Sequence, residues 1–160
     1  MTDMGAITAR PADEGPDVLV PAGAWRTPLR VRFSHCDPAG IVYFPRYFDL
    51  LNGVVEDWFG ECLGLDYHDL IGRRRVGLGY ASAGAEFRQP GFMGDRLDCA
   101  VVVERLGRSS LRLRLPVLRQ DAPVLVARLA MVATSLDTHR SIPLPDDVRA
   151  AVERYLETCP

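Results

Sequence analysis

The residues best suited to chemistry stand together in one segment, Asp37-Pro38-Ala39-Gly40-Ile41-Val42-Tyr43-Phe44-Pro45. Asp37 supplies a carboxylate in a turn built on Asp-Pro and Gly, and Pro45 suits the first position of a helix, where no N–H is needed. The first amides of a helix lack partners within it and lie at the positive end of its dipole. They would stabilise an oxyanion that develops on an acyl carbonyl, and Phe44 is the residue best spaced to donate its backbone N–H.

The composition removes several other kinds of chemistry. All 19 basic residues are Arg, which excludes Schiff-base chemistry, a lysine-bound pyridoxal phosphate and a Walker-type phosphate loop. No two His stand at i, i+4 spacing and no two Cys form a CxxC pair, so no metal site is predicted. The net charge of −2 gives no indication of nucleic-acid binding.

The chain length of 160 residues is typical of a single domain. Residues 1–28 carry scattered Ala, Gly, Pro and Asp without a period, which predicts a flexible N-terminal tail ahead of one domain over 29–160. We find no secretory signal and no run of apolar residues long enough to span a membrane. The expectation is a cytoplasmic protein with reduced thiols and no membrane contact.

The elements that must position Asp37 begin with an alternating strand over 29–34. A helix is predicted over 45–63, and it is apolar around most of its circumference, which is typical of a buried helix. The period then changes to two in four long segments, 76–88, 95–106, 109–119 and 124–137, and a short helix follows over 145–156. One buried helix and one antiparallel sheet predict an α+β fold in which the sheet wraps the helix.

The run from Ser34 to Trp58, above all Cys36 to Tyr47, resembles the 4-hydroxybenzoyl-CoA thioesterases of the hotdog fold. The resemblance covers roughly residues 29–156 and depends chiefly on the Asp-Pro-Ala-Gly-Ile-Val core. It implies an antiparallel sheet around one long helix, and hydrolysis of an acyl-CoA, with an aromatic, hydroxybenzoyl-like acyl group favoured. Coenzyme A would then be part of the substrate, and no cofactor would be needed.

The resemblance also implies roles for individual residues. Asp37 matches the catalytic aspartate, and Phe44 matches the residue whose backbone N–H polarises the thioester carbonyl. The stretch that holds the phosphates of coenzyme A falls on Arg108, Ser109 and Ser110. Gly107 and Ser109 stand where relatives carry Arg or Lys, so arginines elsewhere are alternative phosphate ligands. The further candidates are Arg73, Arg74, Arg75 and Arg128 for phosphate, and Tyr43 and Tyr47 for the acyl group.

The chemistry needs few groups, because a thiol with a pKa of about 8.5 leaves as thiolate without strong acid assistance. Asp37 either attacks the carbonyl, giving a mixed anhydride that water opens, or activates water as a general base. Two alternatives stay open beside the aroyl-CoA thioesterase. One is a thioesterase for short- or medium-chain aliphatic acyl-CoA, and the other is a non-catalytic acyl-CoA-binding module.

Simpler interpretations compete at several positions. Asp37 before a proline is often only a turn residue, and neighbouring His35 and Cys36 should point to opposite faces rather than form a nucleophile–base pair. Glu86 is expected in a surface ion pair, and the run Arg73–Arg75 is usually a solvated charge cluster. The open sheet edges and the resemblance predict a homodimer or homotetramer with sites at subunit interfaces.

Overall fold

The computed structural model of the protein describes residues 18–159. Residues 1–17 of the predicted tail, 1–28, lie outside the described residues, whereas residues 26–28 are paired in the sheet, so the sheet begins ahead of the predicted boundary at residue 28. Within the described range the chain forms one apolar core that joins helix and sheet residues.

The central helix, α1, spans Pro45–Asp57 and continues through a π-helical turn at Trp58–Cys62, which together match the predicted helix over 45–63. Its apolar side chains are buried because the sheet surrounds it on several sides. The most deeply buried are Leu51, Val54, Val55, Trp58 and Phe59.

The strands within residues 18–159 form one antiparallel sheet. They are β1 (Arg26–Arg30), β2 (Val76–Phe87), β3 (Arg96–Ala100), β4 (Val102–Leu106), β5 (Ser110–Arg119) and β6 (Ala122–Ser135). The order across the sheet is β1-β3-β5-β6-β2, and β4 also pairs with β5. Alternate side chains of β5 and β6, such as Leu113, Leu115, Leu125 and Ala127, are fully buried in the core.

Two strand boundaries differ from the prediction. The strand expected over 29–34 is β1 at Arg26–Arg30, because the chain turns into a short 3-10 helix at Phe33–His35. The strand expected over 95–106 is broken at Val101, whose N–H donates to the Trp25 carbonyl and whose carbonyl accepts from the Tyr155 hydroxyl at 2.6 Å. These contacts take the backbone of Val101 out of the sheet ladder.

Two shorter helices complete the fold. The helix α2, at Tyr67–Gly72, was not predicted, whereas α3, at Asp146–Thr158, matches the expected C-terminal helix. The hydroxyl of Tyr155 in α3 also accepts from the Trp25 N–H at 2.9 Å, so it connects the helix with both chain segments at the strand break. The α+β architecture, a sheet around one long helix, is as predicted. None of the helices within residues 18–159 has the length and apolarity that crossing a membrane requires.

Candidate active site

The turn before α1 holds Asp37 in a defined orientation. The Asp37 N–H donates to the Ile41 carbonyl at 3.0 Å, and the Asp37 carbonyl accepts from the Gly40 N–H at 2.9 Å. Gly40 has a φ of 76°, a conformation that favours glycine. The carboxylate Oδ1 accepts from the Ala39 N–H at 2.8 Å, so Asp37 does form the turn that its sequence context indicates. Within residues 18–159, Oδ2 has no hydrogen-bond partner and stays open for chemistry.

The first residues of α1 leave one amide open beside this turn. The Arg46 N–H donates to the Tyr43 carbonyl, the Tyr47 N–H donates to the Phe44 carbonyl, and Pro45 has no N–H. Among the described residues, the Phe44 N–H donates to no acceptor. The sequence prediction that Phe44 carries the free donor at the helix start therefore agrees with the geometry.

A cleft of ≈ 340 Å³ opens next to Phe44. One wall comes from the segment that leads into α1, and the other comes from the end of β2 and the loop that follows it. The lining residues are Ile41, Val42, Phe44, Tyr47, Phe87, Arg88, Gln89, Pro90 and Gly91. Most of these side chains are apolar and several are aromatic, so the cleft fits a flat, apolar group. Asp37 is not among these residues, but its backbone N–H donates to the carbonyl of Ile41, which is one of them.

The two tyrosines predicted to contact the acyl group are placed differently. Tyr47 lines the cleft and packs against the Phe87 ring at a centroid distance of 5.8 Å. Burial raises the pKa of the Tyr47 hydroxyl, and the nearby Arg119 guanidinium partly offsets that rise. Tyr43 is 51% exposed and packs edge-on against the Phe44 ring, but it does not line the cleft.

The predicted phosphate-binding residues lie at the other end of the sheet. Arg108 and Ser109 lie in the β4–β5 turn, and Ser110, the first residue of β5, is paired with Val132, which is paired with Gly79 of β2. The cleft instead adjoins the far end of β2, and the strand from Gly79 to Phe87 spans about 26 Å because each strand residue advances ~3.3 Å. The structure of one chain therefore does not bring this turn to Asp37.

The turn is nevertheless well supported. The Arg149 guanidinium of α3 donates to the Gly107 carbonyl at 2.6 Å and to the Arg108 carbonyl at 3.2 Å. The Leu144 N–H also donates to the Arg108 carbonyl, while the Arg108 side chain is exposed. The backbone of the turn is thus fixed, and its side chains are available to a ligand.

Arg128, another phosphate candidate, lies on the sheet face that points away from α1. Its guanidinium is 3.4 Å from the Glu86 carboxylate and 3.7 Å from that of Glu104. Glu86 also pairs with Arg88 at 2.8 Å, which agrees with the expected surface ion pair. The structure does not bring Arg128 to the cleft.

The alternative phosphate ligands in the run Arg73–Arg75 are occupied by acidic residues. Arg73 pairs with Asp69, Arg74 with Asp147 through two hydrogen bonds of 2.7 and 2.8 Å, and Arg75 with Asp137. The hydrogen bond from Arg74 holds the pKa of Asp147 below its usual range. Each arginine of the run therefore already has a carboxylate partner in the single chain, and its role as an alternative phosphate ligand stays a prediction.

Cys36 and His35 do not form a catalytic pair. The Cys36 thiol lies 3.5 Å from the Arg32 carbonyl, and the His35 Nδ1 accepts from the Arg32 N–H at 3.0 Å. Each side chain is therefore used within the turn that precedes Asp37. Among residues 18–159, His, Cys, Asp and Glu form no cluster of three or more that could hold a metal ion.

Sequence reasoning missed the second wall of the cleft. The loop after β2 is held by Asp95, whose carboxylate accepts from the Phe92 N–H at 2.8 Å and from Arg119 at 2.6 Å. Arg119 also donates to the Pro90 carbonyl. Pro90 and Gly91 fall between the strands predicted over 76–88 and 95–106, and no spacing rule predicts that a residue as distant as Arg119 fixes them.

The sheet wrapped around a long helix, with a carboxylate-bearing turn at the start of that helix, defines a hotdog-type hydrolase. A model of the thioesterase-like superfamily matches residues 31–152, so the chain belongs to that superfamily and is a thioester hydrolase. This confirms both the hotdog fold and the family resemblance.

Similar proteins agree with this assignment. A 1,4-dihydroxy-2-naphthoyl-CoA hydrolase from Synechococcus sp. (strain CC9605) is 32% identical over 132 residues, which cover 79% of this chain and 85% of the relative. A 4-hydroxybenzoyl-CoA thioesterase from Pseudomonas sp. (strain CBS-3) is 33% identical over 83 residues, covering 51% of this chain and 58% of the relative. The crystal structure of a thioesterase superfamily protein from Jannaschia sp. CCS1 superposes with a TM-score of 0.78 at 25% identity, covering 85% of this chain and 95% of that chain.

Proposed function

We propose that the protein hydrolyses an aroyl-CoA, with Asp37 as its catalytic carboxylate and the Phe44 N–H as its oxyanion donor. One observation carries the proposal. The Phe44 amide has no acceptor among residues 18–159 and lines an apolar, aromatic-lined cleft, and Asp37, with one unpartnered carboxylate oxygen, is hydrogen-bonded through its backbone to Ile41 of the same lining. No resident cofactor is required, because coenzyme A arrives as part of the substrate.

The reaction follows from these two groups. The Phe44 N–H and the positive end of α1 stabilise the negative charge that develops on the thioester oxygen. Asp37 either attacks the carbonyl carbon, expelling the thiolate and leaving a mixed anhydride for water to open, or takes a proton from the attacking water. Both routes release coenzyme A and a free carboxylic acid.

The cleft supports an aromatic acyl group. Its walls carry the rings of Phe44, Tyr47 and Phe87, against which a planar ring can pack edge-on or offset. The names of the two relatives described above, a dihydroxynaphthoyl-CoA hydrolase and a hydroxybenzoyl-CoA thioesterase, point to the same substrate class.

We further propose that a homodimer or homotetramer shares each site between subunits. The β2 strand lies at the edge of the sheet, and its exposed backbone from Ser82 to Gly84 carries small side chains that a partner strand can approach. The turn at Arg108–Ser110 lies about 26 Å along the sheet from the cleft of its own chain. An antiparallel partner would bring the turn of one subunit toward the Asp37 of the other.

Thiol release from a panel of CoA esters tests the proposed function. The panel contains benzoyl-, 4-hydroxybenzoyl-, acetyl- and hexanoyl-CoA, and we expect the highest kcat/KM for the aroyl esters. Asp37→Asn should lower kcat by about 10²–10⁴-fold because it removes the nucleophile or base, with an unchanged melting temperature. An Asn variant with wild-type turnover would overturn the role of Asp37, and a preference for hexanoyl-CoA would favour the aliphatic alternative. Binding without any thiol release would contradict catalysis altogether.

A further inference from the structure

Gly91, on one wall of the cleft, lies against the Tyr47 hydroxyl on the other wall. A Cβ atom placed on Gly91 would lie 2.2 Å from the Tyr47 hydroxyl oxygen and 3.3 Å from Val42 Cγ2. Gly91 does not have a positive φ, so its backbone conformation is open to any residue. The space at this position therefore fits a glycine, and the Tyr47 hydroxyl is the atom that a side chain would meet first.

Burial raises the pKa of the Tyr47 hydroxyl and the nearby Gly91 backbone partly offsets that rise, but no hydrogen bond of good geometry joins the two. The residue is 3% exposed, and its oxygen has no partner among the described residues. A buried hydroxyl without a partner destabilises a fold relative to the same ring without the hydroxyl. Packing energetics alone would therefore favour Phe at position 47, and the hydroxyl needs another explanation.

Hydrogen bonds hold the loop that carries Gly91 next to the segment that leads into α1. The Val42 N–H donates to the Gly91 carbonyl at 2.9 Å, and the Arg119 guanidinium donates to the carbonyl of Pro90 and to the carboxylate of Asp95. These hydrogen bonds hold the loop close to the opposite wall of the cleft, where the Tyr47 hydroxyl lies against Gly91. The Tyr47 hydroxyl is thus the side-chain atom nearest to the Cβ position of Gly91 on the opposite wall.

We propose that the Tyr47 hydroxyl is a spacer that fixes the width of the acyl cleft against Gly91, and so determines selectivity for flat acyl groups. Tyr47 and Gly91 are positioning residues in this view, because they fix the walls and take no part in bond making. The inference rests on the proposed function for its selectivity readout, although the steric coupling between the two residues can be measured without any substrate.

Single substitutions should change the width in opposite directions. Gly91→Ala needs the wall to retreat by about 1 Å, since ordinary contacts begin at 3.4 Å. We expect kcat/KM for benzoyl-CoA to fall by about 10–100-fold, because small misplacements of a substrate are expensive, with a smaller loss for the flexible hexanoyl-CoA. Tyr47→Phe removes the hydroxyl that acts as the spacer but leaves a ring of the same shape. We therefore expect the ratio of kcat/KM for benzoyl-CoA to kcat/KM for hexanoyl-CoA to change less than in Gly91→Ala.

The double variant Tyr47→Phe/Gly91→Ala is the decisive measurement. The methyl group fills the space that the hydroxyl leaves, so we expect the benzoyl-to-hexanoyl ratio and the melting temperature to return within about 3-fold and a few degrees of the wild type. Gly53→Ala in α1 is the matched control, because its added methyl meets no atom within 4 Å and should leave the ratio unchanged.

The possible outcomes separate the inference from the proposed function. Additive effects of the two substitutions on melting temperature would overturn the spacer, whatever the enzyme hydrolyses. A loss in Tyr47→Phe confined to 4-hydroxybenzoyl-CoA, with benzoyl-CoA unaffected, would show that the hydroxyl binds substrate instead. Coupling in the melting temperature with no thiol release from any ester would leave the spacer standing and overturn the proposed function.

Discussion

The functional polar groups at the cleft end of the sheet and the polar groups at its turn end differ in whether they have hydrogen-bond partners. At the cleft end, the Asp37 Oδ2 and the Phe44 N–H lack partners among residues 18–159, and aromatic side chains stand exposed around the cleft. At the turn end, Arg74 and Arg149 each find acceptors on a neighbouring element.

This difference distinguishes groups that are available to a substrate from groups that stabilise the fold. Unpaired polar groups destabilise a folded chain, so they persist where a substrate supplies the missing partner. Paired groups at the turn end fix α3 and the β4–β5 turn in place. Substitutions at the cleft end should therefore change turnover, whereas substitutions at the turn end should change substrate affinity or stability.

After Asp37→Asn, the largest effect is expected from deletion of one backbone N–H. Phe44 has a φ of −51°, which a proline accepts, so Phe44→Pro removes the donor without changing the local backbone angle. We expect kcat to fall by about 10²–10³-fold, the loss that follows removal of one oxyanion donor. Phe44→Ala keeps the N–H and is the matched control for the lost ring. If thiol release shows equal kcat values for the two variants, the amide has no role in catalysis.

A smaller effect, on KM rather than kcat, is expected at the turn end. Arg108→Ala removes an exposed guanidinium that is proposed to bind phosphate, and a charge-assisted hydrogen bond is worth about 1.5–3 kcal/mol. We therefore expect KM for benzoyl-CoA to rise by about 10–100-fold with kcat nearly constant. A change in kcat without a change in KM would contradict a binding role.

The same variant tests whether subunits share the site. Mixed oligomers of Asp37→Asn and Arg108→Ala chains should contain some sites with both residues intact, since each site takes Asp37 from one chain and Arg108 from another. Thiol release at low substrate concentration should then exceed the sum of the separate variants. No gain after verified subunit exchange would indicate that both residues serve the same chain's site.

The smallest effect is expected at the ion pair between α3 and the run after α2. Arg74→Ala should lower the free energy of unfolding by about 0.5–1 kcal/mol, because both side chains remain partly exposed to solvent and salt. Arg74 lowers the pKa of Asp147, so the contribution is present at neutral pH and is lost as the pH falls through the lowered pKa of that carboxyl. In urea unfolding, the difference in free energy of unfolding between the wild type and Arg74→Ala should be smaller at low pH than at pH 7. The variant should keep the wild-type kcat/KM at pH 7.

The sequence predicted the elements whose pattern is local. The apolar circumference of α1 and the alternation in β5 and β6 each follow from short-range periodicity, and the Asp37 turn is readable from its residues. The break at Val101 was missed because its cause is the distant Tyr155 hydroxyl. The sequence did not predict the partners of Arg73–Arg75 or the second wall of the cleft for the same reason. Contacts between segments that are distant in the chain produce no periodic pattern in the sequence.

The hydroxyl of Tyr155 couples the local unfolding of the two ends of the domain. It receives the Trp25 N–H and donates to the Val101 carbonyl, so one phenol joins the first strand, the middle of the sheet and the last helix. Fraying of α3 from the rest of the protein would break both bonds at once and release the start of β1 with it. The two termini of the domain should therefore exchange their amide hydrogens as one cooperative unit rather than unravel independently.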